Sequence, residues 1–338
     1  MKTALIGLGM VSQTYGYALR NAPHISLETV YARSPESREA FMNNWPDLEA
    51  KPAESVTEIA GSDVDFVIIT TPANARAEIV EELAKAGKPI LMEKPVERSS
   101  ENALALVEVC EKAEVPLGIV LQHRARPVVK DLRQVMPSLG ALRAVEVNVP
   151  WWRPQSYYDE AGRGSYARDG GGVLISQAIH TLDLMLSLTG PVDEVTAMAA
   201  TTGYHDMEAE DFVSAGLRFE NGAVGQIFAT TASFPGRGET ITMHFSDGSA
   251  HLDAGVLRID RQDGTQEVIG EAATSGAGAD PMAFTSDWHR ALIEDFAEAV
   301  CESRPPLVSG REALNVHRLI AAMEQSARMG SRVQMKDF

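Results

Sequence analysis

The N-terminal segment constrains the fold more than any other part of the sequence. Residues 4–7 predict a short buried strand, residues 11–21 predict a helix, and Gly7-Leu8-Gly9-Met10-Val11-Ser12 joins them. Gly7 permits a tight turn, Gly9 permits a close approach to the backbone, and Ser12 is small enough for the third position. Because free N–H groups at a helix start attract a pyrophosphate, the turn predicts a dinucleotide site. A plain glycine turn is the alternative.

The first 121 residues alternate between strand-like and helix-like segments. Further strands are predicted over 27–31, 65–70, 89–92 and 117–121, and helices from Ser34-Pro35 onward, over 73–86 and from Ser99 or Ser100 to Ala113. Such alternation is typical of βαβ units. We therefore expect an α/β domain with a doubly wound parallel sheet over residues 1–121.

The remaining chain, residues 122–338, follows a different pattern. Strands joined mostly by turns are predicted over 145–149, 194–200, 211–219, 223–229 and 240–245, with hairpin signals at Asn221-Gly222 and Asp247-Gly248. Helices are predicted over 172–188, 287–302 and 311–329, and a mobile loop over 264–282. We expect a second, α+β domain with a large, mainly antiparallel open sheet.

Composition argues against several classes of function. The formal net charge of −17 disfavours nucleic acid and anionic membrane surfaces as partners, because both require a concentrated basic patch. No apolar run reaches the roughly 20 residues that span a bilayer. The two cysteines have no partners at metal-ligand spacing, so no metal site is expected. We expect a cytoplasmic protein.

The end of the second strand bears on the choice of nucleotide. In NAD-binding sheets an acidic residue there binds the ribose 2′-hydroxyl, whereas a nearby arginine accommodates a 2′-phosphate. This chain has Arg33-Ser34 after the strand and no acid, since Glu28 lies near the start of the strand. Arg33 and Ser34 therefore favour NADP slightly over NAD, unless Arg33 is only a solvated surface residue.

Lys94, in Glu93-Lys94-Pro95, is the first candidate catalytic group. It follows an apolar strand and precedes a proline, which restricts its backbone to extended or turn conformations. A partly desolvated lysine beside a nicotinamide cation releases its proton more readily, so it is suited to exchange protons near neutral pH. An ordinary Lys-Pro turn is the alternative.

His180 is the second candidate and lies on the predicted helix over 172–188. Ser176, His180, Asp183 and Ser187 recur at helical spacing and form a polar stripe beside an apolar one. Such a stripe on an otherwise apolar helix indicates one side that lines a cleft, where a histidine can transfer protons. The alternative is a core histidine bonded to Asp183.

Together these residues resemble the motifs of the glucose–fructose oxidoreductase / inositol dehydrogenase (Gfo/Idh/MocA) family. The resemblance covers nearly the whole chain. It is carried by the glycine turn, Thr71-Pro72, Glu93-Lys94-Pro95, Gln122-His123-Arg124, the helix with His180 and Asp183, Asp295-Phe296 and Pro305-Pro306. It implies an NAD(P)-binding Rossmann domain and a C-terminal domain for substrate binding and oligomerisation. The implied reaction is hydride transfer between nicotinamide and a secondary hydroxyl or ketone of a sugar, cyclitol or sugar derivative.

The motifs and the resemblance give expected positions for both ligands. Lys94 is expected to act as acid/base, assisted by His180. Cofactor contacts are expected at Gly7, Gly9, Met10, Val11, Ser12, Arg33, Ser34, Thr71, Pro72, Asn74, Glu93, Lys94 and Gln122. Substrate contacts are expected at Lys94, Arg124, Trp152, Arg153, Tyr158, Ser176, Gln177 and His180. The resemblance also implies a homodimer or homotetramer formed through the open sheet.

One position departs from the family pattern. Many members have an aspartate four residues before the histidine, where this chain has Ser176 followed by Gln177. A serine cannot orient or charge an imidazole as a carboxylate does. Either Lys94 and His180 suffice, or Asp183 assists, or catalysis is weak. Two alternatives to the dehydrogenase therefore remain: a catalytically impaired nucleotide-binding regulator, and redox-assisted glycoside cleavage with retained NAD.

The loop before the histidine helix is rich in aromatic and basic residues. It begins Trp151-Trp152-Arg153-Pro154-Gln155-Ser156-Tyr157-Tyr158. Aromatic faces stack on sugar rings, and arginine and tyrosine side chains bind hydroxyls or carboxylates. The loop therefore predicts a sugar-binding segment, and an aromatic loop at a subunit interface is an equal alternative.

Overall fold

The first sheet of the structure contains six strands, and every neighbouring pair is parallel. They are β1 (Lys2–Ile6), β2 (Ser26–Tyr31), β3 (Lys51–Pro52), β4 (Phe66–Ile69), β5 (Ile90–Glu93) and β6 (Leu117–Val120). Their order is β3-β2-β1-β4-β5-β6. All residues of β4, β5 and β6 are buried, as expected of strands covered on both faces. The predicted doubly wound parallel sheet is confirmed.

The second sheet contains nine strands and is mainly antiparallel. They are β7 (Leu142–Pro150), β8 (Val192–Ala200), β9 (Phe212–Phe219), β10 (Val224–Thr230), β11 (Thr240–Phe245), β12 (Gly248–Asp253), β13 (Val256–Arg261), β14 (Gln266–Gly270) and β15 (Val333–Gln334). Their order is β14-β13-β12-β11-β7-β10-β9-β8-β15, and only β7 and β10 pair in parallel. The hairpin predicted at Asn221-Gly222 joins β9 to β10, and Gly222 has the positive φ of +85° that favours glycine.

Ten α-helices accompany the two sheets. They are α1 (Ser12–Arg20), α2 (Pro35–Asn44), α3 (Val56–Ala60), α4 (Ala77–Lys85), α5 (Ser100–Lys112), α6 (Pro127–Val135), α7 (Gln155–Tyr158), α8 (Ile179–Thr189), α9 (Asp287–Glu302) and α10 (Gly310–Met329). Serine caps open two of them as predicted. Ser34 Oγ accepts a bond from Ser37 N (3.2 Å) and Ser99 Oγ one from Asn102 N (3.1 Å), which satisfies amides at the helix start.

The computed structural model describes residues 1–338, which divide into two compact units. The first consists of residues 1–125 and 286–314, and the second of residues 126–285 and 315–338. Each unit contains one of the two sheets. The domain division expected between residues 121 and 122 stays a prediction.

One local prediction is wrong and another is only partly right. Residues 264–282 were expected to lack regular structure, but β14 lies within them and pairs with β13. Its side chains are almost all exposed at the sheet edge, so backbone hydrogen bonds stabilise it and no apolar alternation marks it. The helix predicted over 172–188 is present over residues 173–189, but its first turns at Leu174–Ala178 are π-helical and only the part from Ile179 onward is α8.

The lengths and apolar character of the helices bear on whether the chain spans a membrane. None of them is both long enough and apolar enough to span a bilayer.

Candidate active site

The glycine turn after β1 has the geometry that its sequence predicts. Gly7 has φ +99°, and a Cβ at this position would lie 2.7 Å from the backbone N of Thr71, so no larger residue fits. A Cβ at Gly9 would meet nothing within 4 Å, which leaves open space beside the backbone. Ser12 Oγ donates to the carbonyl of Gly9 at 2.7 Å and closes the turn.

The residues around this turn fit a dinucleotide. Helix α1 begins without a side-chain cap, so no side chain competes for the N–H groups of its first turn. Thr71 Oγ1 and Gln122 Oε1 are buried polar atoms with no hydrogen-bond partner in the structure. Such atoms indicate polar contacts that a ligand completes. Other predicted contact residues, Met10, Pro72 and Asn74, are exposed, and Val11 is half-buried.

The two residues that favoured NADP have different environments. Ser34 caps α2, and its hydroxyl also donates to Glu36 Oε2 at 2.6 Å, so this side chain is engaged within the protein. Arg33 is exposed and forms no hydrogen bond or ion pair in the structure. Of the two, only Arg33 is available to meet a 2′-phosphate.

Lys94 is half-buried and follows β5 directly. The turn that carries it is held by the guanidinium of Arg76, a residue that is only 2% exposed. Arg76 donates to the carbonyl of Thr71 (2.9 and 2.7 Å), to the carbonyl of Lys94 (3.4 Å), and to those of Glu93 and Pro95. Burial lowers the pKa of Arg76 to about 10. Arg76 therefore fixes the backbone on both sides of Lys94.

The carboxylate of Glu93 is directed into the first unit. It accepts a bond from the hydroxyl of Tyr15 at 2.9 Å, and His289 Nε2 lies 3.7 Å from its Oε1. Burial alone would raise the pKa of Glu93. The hydrogen bond and charge of His289, the charge of Lys94 and the hydrogen bond from Tyr15 outweigh this effect of burial, so the pKa of Glu93 lies below its usual range. Glu93 was predicted as a cofactor contact. In the structure its carboxylate makes internal contacts, which hold Glu93 in place directly before Lys94.

The 3₁₀ turn Gln122–Ala125 follows β6 and carries another predicted residue. Arg124 lies 3.6 Å from Glu312 Oε1 in an ion pair, and its side chain is mostly buried. Part of its charge is therefore already compensated within the first unit.

The helix of His180 is buried in the second unit, as its sequence indicates. His180, Gln177 and Asp183 are all buried, and Ser176 is half-buried. Because the π-turn inserts a residue into the helix, the continuous stripe expected from Ser176 to Ser187 does not follow α-helical spacing. The assistance expected from Asp183 stays a prediction.

The start of this helical segment is fixed by Glu210. Its carboxylate accepts bonds from Gly172 N and Leu174 N, both at 3.1 Å, and its carbonyl accepts one from Val173 N at 2.8 Å. Burial raises the pKa of Glu210. This single residue satisfies three amides that a helix start would otherwise leave unpaired.

Gly172 is required by this arrangement. A Cβ there would lie 1.8 Å from the carbonyl oxygen of Glu210, so we expect Gly172→Ala to lower the free energy of unfolding by about 2–3 kcal/mol. Gly203→Ala is the matched control, because a Cβ at Gly203 meets nothing within 4 Å. Chemical denaturation of both variants checks the prediction. Equal stabilities would show that the backbone at Glu210 shifts freely.

The aromatic loop places its predicted residues in different surroundings. Tyr158 is buried and its hydroxyl bonds to Thr231 Oγ1 at 2.8 Å, so that hydroxyl makes an internal contact. Trp152 is half-buried and packs edge-to-face against two exposed rings, Tyr204 (5.7 Å) and Phe234 (5.4 Å). Arg153 is 2% exposed, and its guanidinium lies over the rings of Trp151 and Tyr157.

A buried histidine–aspartate pair holds this loop in place. His205 Nδ1 lies 2.7 Å from Asp211 Oδ2, and Nε2 lies 2.8 Å from the carbonyl of Arg153. Both side chains have no exposed surface. The carbonyl accepts only, so Nε2 carries a proton, and the pair fixes the backbone of Arg153.

Several residues of the site region were not predicted as site residues from the sequence. They are Tyr15, Arg76, Tyr157, Glu210 and His289. Arg76 bonds to carbonyls 5 to 19 residues away and Glu210 to amides 36 to 38 residues away, and His289 reaches Glu93 across nearly 200 residues. Only Tyr157 had a local signal, its place in the aromatic loop.

Comparisons with known proteins show which family the chain belongs to. Residues 1–120 match a family model described as "Oxidoreductase family, NAD-binding Rossmann fold", and residues 133–251 match the GFO/IDH/MocA C-terminal domain. The chain belongs to the GFO/IDH/MocA family of NAD-binding oxidoreductases. The resemblance inferred from the motifs is therefore confirmed.

Similarity to individual relatives covers most of the chain. It is 26% identical to D-apiose dehydrogenase of Paraburkholderia graminis (100% of this chain, 90% of the relative) and 26% identical to inositol 2-dehydrogenase of Rhizobium meliloti (74% of each). Among solved structures it is similar to the WlbA dehydrogenase from Bordetella pertussis in complex with NADH and UDP-GlcNAcA. That likeness has a TM-score of 0.83 and 28% identity, and covers 99% of this chain and 98% of that one. The chain is a nicotinamide-dependent oxidoreductase.

Proposed function

We propose that the protein transfers a hydride between a nicotinamide nucleotide and a secondary hydroxyl or ketone of a sugar, cyclitol or sugar derivative. The observation that carries the proposal is the position of Lys94 at the end of β5, in a turn fixed by Arg76 and Glu93, within a family of NAD-binding oxidoreductases. The names of the relatives, D-apiose and inositol dehydrogenases, support the substrate class.

Lys94 is the proposed acid/base. When the nucleotide is bound, its nicotinamide ring accepts or supplies the hydride. In the oxidative direction Lys94 Nζ takes the proton of the reacting hydroxyl, and in the reductive direction it returns a proton to the carbonyl oxygen. The backbone contacts of Arg76 serve this role because they limit how far the lysine main chain can move.

His180 is the proposed assisting group. Its imidazole is suited to bind the same substrate oxygen or a neighbouring hydroxyl, and so to orient the substrate. Ser176 is half-buried on the π-turn before it, where it contributes a hydroxyl rather than a charge. Of the three expected functions, the named dehydrogenase relatives favour this one over a regulator or a glycoside-cleaving enzyme.

Assembly through the nine-stranded sheet is also part of the proposal. Along β9, buried residues alternate with exposed ones, so one face of that strand is open to solvent. Two exposed apolar side chains, Met198 and Val224, lie on β8 and β10, the two strands that flank β9. An open face of this kind is suited to pairing with a second copy.

NADP is the proposed preferred nucleotide because Arg33 is exposed and has no internal partner at the end of β2. We expect Arg33→Ala to weaken NADPH binding about tenfold while NADH binding changes little, since only NADPH carries the 2′-phosphate. Fluorescence titration of both nucleotides checks this. Arg237→Ala, at another exposed arginine, is the control. Equal losses for NADPH and NADH would remove the basis for the preference.

The proposal as a whole is tested by absorbance of the reduced nicotinamide. Purified enzyme is mixed with NADP⁺ or NAD⁺ and a panel of sugars, cyclitols and sugar acids. A rise with one class of compound is the expected result. No rise with any compound, although nucleotide binding is shown separately, would contradict a dehydrogenase of these substrates.

A further inference from the structure

The guanidinium of Arg153 is a buried cation without a carboxylate partner. Its Nη1 donates to two backbone carbonyls, those of Trp152 (2.8 Å) and Gly278 (2.6 Å), and its Nε is buried with no acceptor. The residue is 2% exposed. Asp280 is the acid that acts on it, but from an exposed position and without an ion-pair contact. A buried charge normally has an opposite charge beside it, so this one lacks a partner.

The other arginine in this cluster is already neutralised. Arg163 stacks on the ring of Tyr157 at 4.4 Å and forms an ion pair with Glu160. The cluster of Arg153, Tyr157, Arg163 and Gln177 therefore has one uncompensated positive charge, that of Arg153. One unit of charge matches a monoanion better than a dianion.

Tyr157 and Gln177 offer polar groups beside this charge. The hydroxyl oxygen of Tyr157 accepts hydrogen bonds from Arg163 Nη1 at 2.9 Å and from Gln177 Nε2 at 3.4 Å. The proton of the hydroxyl is therefore left to donate to another group. Gln177 is buried, and its Oε1 has no hydrogen-bond partner. The cluster thus presents a cation, a hydroxyl donor and an unused acceptor.

The position of Gln177 links the cluster to the proposed reaction. Gln177 lies on the π-turn Leu174–Ala178, and His180 follows three residues later in the same helical segment. The ring of Tyr157 also lies 5.6 Å from the Arg153 guanidinium. A substrate group bound at Gln177 would therefore lie beside the helical segment that carries His180.

We infer that this cluster binds a carboxylate of the substrate, so that the protein acts on sugar acids such as uronates or aldonates rather than on neutral sugars. The inference deepens the proposed function and rests on it. The planar guanidinium of Arg153 matches a carboxylate, the hydroxyl of Tyr157 donates to it, and Gln177 Oε1 accepts from a neighbouring substrate hydroxyl. A phosphate would bring a second negative charge that the cluster does not balance.

The test compares matched acidic and neutral compounds on the wild-type enzyme and on Arg153→Gln. The panel contains D-glucuronate, D-galacturonate, D-gluconate, D-glucose, D-galactose and D-glucose 6-phosphate. Initial rates give kcat/KM, and calorimetry on enzyme saturated with NADP⁺ gives binding independently of turnover. Arg237→Gln is the control, because Arg237 is an exposed arginine without side-chain partners in the same unit.

We expect at least one carboxylate compound to bind and react better than its neutral counterpart, and Arg153→Gln to lower its kcat/KM about 100-fold. The control variant should change it by less than about threefold. If Arg153→Gln does not fold, the wild-type comparison decides alone. Preference for neutral sugars or the phosphate, or no binding of any carboxylate compound, would overturn the inference. Carboxylate binding without nucleotide reduction would instead contradict the proposed function, and only the assignment of the cluster as a carboxylate-binding site would stand.

Discussion

Lys94→Ala is expected to lower kcat about 10³-fold while nucleotide affinity stays within about threefold of the wild type. The substitution removes the proposed proton-transfer group. It leaves the backbone carbonyls that Arg76 binds, and the carboxylate of Glu93 with its contacts to Tyr15 and His289, in place. Steady-state rates with the best substrate of the panel, and fluorescence titration of the nucleotide, measure the two effects separately.

The matched control for this prediction is Lys85→Ala, at an exposed lysine that ends α4. It should leave both rates and affinity unchanged. Loss of nucleotide binding and of the folded state in Lys94→Ala would show that Lys94 is a structural residue. If the variant retains most of its kcat, another group is the acid/base, and His180 is the first to examine.

Glu324→Gln is expected to stabilise the protein at alkaline pH by about 3 kcal/mol and to leave it unchanged in acid. Burial raises the pKa of Glu324 to about 7, the negative charge of Glu210 adds to the effect, and Arg328 opposes it weakly from 3.9 Å. The folded state therefore favours the protonated carboxyl. Its stability contribution is fully present below the ordinary value of 4.5 and is lost as the pH rises through 7.

Glutamine mimics the protonated form and does not titrate, so the variant should not show this loss. Denaturant midpoints of the wild type and the variant at about pH 5 and about pH 8 give the difference. Glu220→Gln, at an exposed glutamate of the β9–β10 turn, is the control and should behave as the wild type at both. A destabilised Glu324→Gln at alkaline pH would mean that the carboxylate is stabilised by Arg328 rather than strained by Glu210.

The sequence predicts the larger features of the fold because their signals are local. The β-branched run of β4, the glycine turn before α1 and the serine caps of α2 and α5 each depend on residues close together in the chain. β14 lacks such a signal, because an exposed edge strand is stabilised by its pairing with β13. The π-turn before α8 is missed for a similar reason. Its apolar residues fit α-helical spacing equally well, and the contacts of Glu210 at its start come from elsewhere in the chain.

The site, like the fold, has features with a local sequence signal and features that depend on distant contacts. The motifs predict Lys94, His180 and the glycine turn as parts of the site, but they give no sign of the residues that hold these positions. Arg76 is an ordinary helix-start residue in sequence, and its three guanidinium nitrogens reach carbonyls on both sides of Lys94 only in the folded chain. Arg153 was predicted from its residue type, whereas the lack of a carboxylate partner is visible only in three dimensions.

Hydride transfer from a substrate carbon is best tested by the fate of deuterium placed on that carbon. The most active compound of the panel is prepared with deuterium on its reacting carbinol carbon and incubated with enzyme and NADP⁺ or NAD⁺. Mass spectrometry of the recovered nucleotide then locates the label. We expect the reduced nucleotide to carry the deuterium. Deuterium found only in water or still on the sugar product would contradict it.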